Sequence, residues 1–145
     1  MKRPISGLLR NQRGQALVEF AFTSIIFFMT IFGIIEFGLA VWQYNMVANL
    51  SKEGARWASV RGSSSGAQQA TVAQVQSYVQ TRALGLNVTV TTTAAPGCTT
   101  STDPSSLHVG DLVCVKVEKN FTPLTGLIPN TTLLLQSTSQ MVMAR

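Results

Sequence analysis

The chain is poor in the side chains that bind metals or move protons. Its 145 residues include one histidine, two cysteines and six acids. One histidine with two cysteines cannot supply an ordinary zinc ligand set. Asp103, Asp111 and Glu118 do not follow a metal-ligand spacing. His108 stands alone in a Ser/Pro-rich stretch and reads as a solvated loop residue. The serines at 63–65 and 105–106 have no recognisable base partner. No glycine-rich loop joins a strand to a helix as a phosphate cradle would. There is no internal repeat. The sequence therefore predicts no enzyme, no metal and no cofactor.

Other absences are positional. Residues 1–14 contain no acid, yet hold Lys2, Arg3, Arg10 and Arg13. Beyond them, seven basic residues face six acids. The excess positive charge thus belongs to a short leader. That pattern suits the cytoplasmic flank of a membrane segment and argues against nucleic acid as a partner. Proline is absent between Ile5 and Ala95, so nothing in that span forces a helix to stop.

What is present is a long apolar run. Phe20 to Ile35 is sixteen residues without a charge, and residues 37–51 are again uncharged after Glu36. From Ala16 to Trp42 the run is long enough to span, since a spanning helix needs about 20 residues. The step from Ala16 to Glu36 covers about 30 Å, one hydrocarbon thickness. Glu36 then falls at the outer interface as a solvated carboxylate, followed by the interfacial aromatics Trp42 and Tyr44. The basic leader predicts a cytoplasmic N-terminus and an exterior C-terminal part. A secretory signal cut near Gly38-Leu39-Ala40 and an unprocessed signal anchor are the plainer alternatives. The first has too long an apolar run for a signal-peptide core, with Glu36 just upstream of its cut. The second leaves Glu19 unexplained. A lone carboxylate in an apolar run costs about 2.5–3.5 kcal/mol on lenient insertion scales. Glu19 and Glu36 are seventeen positions apart. That is roughly 100° off a shared helical face, so they do not line one stripe.

The helical pattern continues past the apolar run. Val47, Leu50, Gly54, Trp57 and Ala58 keep helical spacing, predicting one helix to about Val60. Gly54 lies on the apolar stripe, where a missing side chain lets another element approach. Residues 62–66 read as a flexible turn, and residues 68–84 as a second helix stopped by Gly85. The period then changes to two. Residues 87–91, 112–118 and 132–143 read as strands, with Val113, Val115 and Val117 on one face. Residues 95–110 read as a loop. The expected class is α+β: a long N-terminal helix, a second helix and a small antiparallel sheet of about three strands. The domain reading is a leader over 1–14, a transmembrane helix over 15–44 and an extracytoplasmic domain over 45–145. Cys98 and Cys114 could close a disulfide in an oxidising compartment, and are two free thiols otherwise.

Three stretches together resemble a known family. RGQALVEFAF (13–22), GIIEFG (33–38) and NLSKEGARWASV (49–60) resemble the TadE-like proteins, which are minor pilins or pseudopilins of the tight-adherence (Flp, type IVb-like) pilus system. The segment GDLVCVKVEKNFTPLTGLIP (110–129) and the closing strand are similar to that family too. The resemblance implies a pilin-like fold and a structural role in pilus assembly, supporting adhesion or secretion. It implies cleavage after Gly14 by a prepilin peptidase, with Gln15 as the new N-terminus where many type IV pilins have Phe. Glu19 would serve processing or docking, with Phe20 as its adjoining aromatic. The partners implied are the peptidase, other pilin or pseudopilin subunits, the inner-membrane assembly machinery and membrane lipid. The location implied is the bacterial inner membrane, single-pass, with incorporation into the pilus as a further step. The alternative is a membrane-anchored binding module that is neither processed nor assembled.

Overall fold

A computed structural model describes residues 12–94, 100–125 and 132–144. The chain divides into two compact units, Met1–Gly38 and Leu39–Arg145. Helix α1 (Gln12–Ser59, 48 residues) supplies the described part of the first unit and enters the second. Its length follows from the absence of proline and from its run of good helix formers.

In the first unit the apolar side chains point outward. Leu17, Phe20, Phe22, Ile26 and Phe37 are each more than 60% exposed. Such a surface is stable only where the solvent is itself apolar. Among the described residues one helix is long and apolar enough to cross a membrane, between Gly14 and Ser59. Two hydroxyls in this stretch are satisfied within it. Thr23 Oγ1 donates to the Glu19 carbonyl and Thr30 Oγ1 to the Ile26 carbonyl, both at 2.9 Å. That removes the penalty an unpaired hydroxyl would carry in hydrocarbon.

The second unit is α+β. After α1 come a 3-10 turn (Ser63–Gln68), α2 (Val72–Arg82), β1 (Thr89–Ala94), β2 (Thr100–Ser101), a 3-10 turn (Pro104–Ser106), β3 (Leu112–Phe121) and β4 (Leu133–Val142). The sheet order is β2-β1-β3-β4, antiparallel throughout. β3 is central, and its Val113, Val115 and Val117 are fully buried. Val47, Leu50, Ala55 and Ala58 of α1 share that core with Val75 and Val79 of α2 and with Ala83 just after it. The expected close approach at Gly54 is present. A Cβ there would lie 2.9 Å from Val79 Cγ2 and 3.1 Å from Val115 Cγ1.

Some boundaries differ from expectation. The turn at 62–66 is part of a 3-10 segment that kinks at Gly66, whose φ of +56° suits glycine. The second helix starts at Val72 rather than 68, because a capping box begins there. Thr71 Oγ1 accepts from the Gln74 N–H, and Gln74 Oε1 accepts from the Thr71 N–H. The stretch read as a loop over 95–110 carries β2, a two-residue fourth strand paired to Thr93 and Ala94. Gly85 adopts φ +82°, as a helix stop requires.

Candidate processing and assembly segment

The residues singled out at the start of α1 stand on one exposed helical stretch. Gly14, Gln15, Glu19 and Phe20 are all exposed, Phe20 to 72%. Nothing lies within 4 Å of where a Gly14 Cβ would be. The fold of α1 therefore places no steric demand for glycine there. The Gly14–Gln15 bond lies within the described part of α1. Glycine at position 14 costs the helix about 1 kcal/mol relative to alanine.

Glu19 has no salt bridge among the described residues, and its carboxylate lies on exposed helix surface. The position of Gln15, four residues earlier, is one turn below it on nearly the same face. Glu36 is partly covered, while Trp42 and Tyr44 are about half exposed. The leader as far as residue 11 lies outside the described residues. Cys114 is fully buried on β3 and disulfide-bonded. Cys98 lies outside the described residues.

His108 serves local geometry. Its backbone N–H donates to Asp111 Oδ2 at 2.8 Å, closing the turn before β3. Among the described residues no group of three His, Cys, Asp or Glu is placed to hold a metal ion.

Sequence reading missed one feature of the second unit. Trp57 of α1 and Tyr78 of α2 stack with ring centres 4.9 Å apart. The Arg61 guanidinium lies 4.1 Å from the Trp57 ring centre, and that of Arg82 lies 4.2 Å from the Tyr78 ring centre. Arg82 also reaches Glu53 at 3.5 Å. This four-layer ladder clamps α2 to α1 through cation–π and stacking contacts. Both faces of each ring pair are occupied, so it is a structural clamp rather than an open platform.

The segment that carries these exposed groups is also the one with a relative. Residues 14–56 match the TadE-like protein family model. The resemblance to TadE-like proteins therefore stands over α1 from Gly14 to Arg56. Gln15, Glu19, Phe20, Glu36 and Gly54 all fall inside this TadE-like segment. No curated protein and no solved structure matches the chain. The TadE-like match covers less than half of the chain, and α1 is consistent with a single-pass membrane anchor.

Proposed function

We propose that the chain is a minor pilin or pseudopilin of a Tad-type pilus, anchored by α1 and processed after Gly14. The observation that carries this reading is the exposed carboxylate of Glu19 on an apolar helix of membrane length, five residues beyond Gly14. Lys2, Arg3, Arg10 and Arg13 favour a cytoplasmic start, with the second unit outside. Cleavage by a prepilin peptidase would release the basic leader and create an α-amino group on Gln15. Such a group has a pKa of about 7.7–8.0 in water and is largely protonated at neutral pH. Paired with Glu19 of a neighbouring subunit, it would reduce the cost of two desolvated charges and fix the register between helices. Before the cut this amine does not exist, so proteolysis would act as the switch for assembly. Other pilin or pseudopilin subunits and the inner-membrane machinery are the partners this scheme requires.

A second reading has one observation behind it. The Gly14–Gln15 bond lies within α1, which suits an uncut anchor carrying an exterior binding module. Intact mass of the chain purified from its own membrane separates the two. A chain beginning at Gln15 supports processing. A chain still carrying residues 1–14 overturns it in favour of the anchor.

A further inference from the structure

β4 is the last strand in the sheet order, and among the described residues it is paired on one side only. All ten of its residues are in register with β3, without a bulge. Its sequence, LLLQSTSQMV, has no charge and no proline. Edge strands are ordinarily blocked by charges, prolines or bulges, because their free N–H and C=O groups recruit other strands. β4 carries none of these devices.

The order of its side chains names what it would recruit. Read outward from Thr138, the strand repeats itself in both directions: Ser137 and Ser139, Gln136 and Gln140, Leu135 and Met141, Leu134 and Val142. Leu133 and Met143 extend the match. We propose that the outer edge of β4 pairs with β4 of a second copy, antiparallel, about a two-fold axis at Thr138. That register sets apolar against apolar at both ends and amide and hydroxyl against their own kind between. Leu134 and Val142, 52% and 57% exposed on the side of the sheet away from the helices, would cover each other. The contact is isologous and closes at two copies.

Helix direction decides which copies can meet this way. Ser51 Oγ lies 3.1 Å from Ser137 Oγ, and the Ala144 N–H donates to the Ser59 carbonyl. The α1 part of this unit therefore runs in the same sense as β4. A two-fold axis normal to the sheet reverses that sense in the second copy. The two Leu39 ends, which lead back to the apolar segment, then lie at opposite ends of the pair. The pairing therefore sets the two α1 parts of this unit antiparallel to each other. It rests on the sheet alone, whether or not the chain is cut or enters a filament.

Cysteine placement in the full chain tests the register. Position 138 faces itself, so Thr138→Cys is expected to oxidise to a covalent dimer unaided. Leu134→Cys alone puts its two copies about 26 Å apart at eight residues of about 3.3 Å each, beyond disulfide reach. It should cross-link only when mixed with Val142→Cys. Dimer yield at 138 should exceed that at 134 alone by about tenfold, against the unsubstituted chain as background. Equal yields, or none at 138, overturn the pairing. The full chain in detergent should run as a dimer by light scattering, and Thr138→Lys should abolish that dimer. Circular dichroism confirms that this variant keeps its fold, which the exposed position of Thr138 favours. A monomeric unsubstituted chain, or a Thr138→Lys chain that dimerises as well as the parent, overturns the pairing.

Discussion

Gly54→Ala should destabilise the second unit although alanine is the better helix former. In an exposed helix interior the change would gain about 1 kcal/mol. Here the new methyl would lie 2.9 Å from Val79 Cγ2 and 3.1 Å from Val115 Cγ1. Both partners are β-branched and fully or almost fully buried, at 1% and 0% exposure. Neither can swing aside, because β-branched side chains hold one strongly preferred χ1. α2 or β3 must shift instead, and overpacking of this kind costs about 1–3 kcal/mol. With the clash at the upper end of that range, the net loss is about 1–2 kcal/mol. For a unit of this size, each kcal/mol lowers the Tm by about 4–8 °C. The measurement is thermal unfolding of the full chain in detergent, followed by near-ultraviolet circular dichroism.

The partner variant closes the argument. Val79→Ala alone should lose about 2 kcal/mol to the cavity it leaves. In the double variant the two methyl groups no longer collide. Its loss should fall short of the sum by about 1–2 kcal/mol, a coupling well above the scatter of independent sites. Strict additivity, or a Gly54→Ala chain more stable than the parent, would refute the close approach of α1 to α2 and β3.

Thr92 is fully buried on the helix-facing side of β1, and its Oγ1 lacks a hydrogen-bond partner among the described residues. Thr92→Val keeps the shape and removes the stranded hydroxyl, so denaturant titration should show a gain of about 1–2 kcal/mol; a loss would mean that the hydroxyl is satisfied. Gly14 has no neighbour within 4 Å, so neither Gly14→Ala nor Gly14→Leu should alter the fold. Immunoblots of leader removal should show slowed cleavage for Gly14→Ala and none for Gly14→Leu, and normal processing of both would refute the site. Glu19→Gln should insert in the membrane as the parent does but co-purify with far less of its pilin partners, and unchanged assembly would remove the charge pair from the mechanism.

How much was legible in the sequence depended on how local the cause was. α1 could be read because every signal for it lies within the segment: apolar composition, absent proline, helical spacing through Gly54. The alternating valines of β3 and the stop at Gly85 are local in the same way. β2 was not legible, because two residues form a strand only through Thr93 and Ala94 across the ladder. The start of α2 slipped because the Thr71 cap overrides the polar residues before it. The Trp57–Tyr78 ladder joins two elements 21 positions apart, and no single-chain periodicity encodes that meeting. At the site, Gly14 and Glu19 stood out because a carboxylate in an apolar run is anomalous against its neighbours alone. That the Gly14–Gln15 bond lies within a helix was visible only in the fold.

The helix itself shows why Glu19 calls for a partner from elsewhere. After Arg13, the next basic residue along α1 is Lys52, 33 positions beyond Glu19 and about 50 Å away along the axis. No basic residue of α1 beyond Arg13 can therefore balance this carboxylate within hydrocarbon. The amine that the proposed cut would create at Gln15 could, because it is four positions away and within about 40° of the same face. It could close first on Glu19 of its own chain, one turn above. A neighbouring subunit must then compete with that contact, and an exposed i,i+4 pair is worth only about 0.3–0.5 kcal/mol. Such a weak internal pair is easily exchanged for one buried between helices, where water no longer screens it. On this account the cut primes the chain without committing it, and assembly is driven by removing the same two charges from water together.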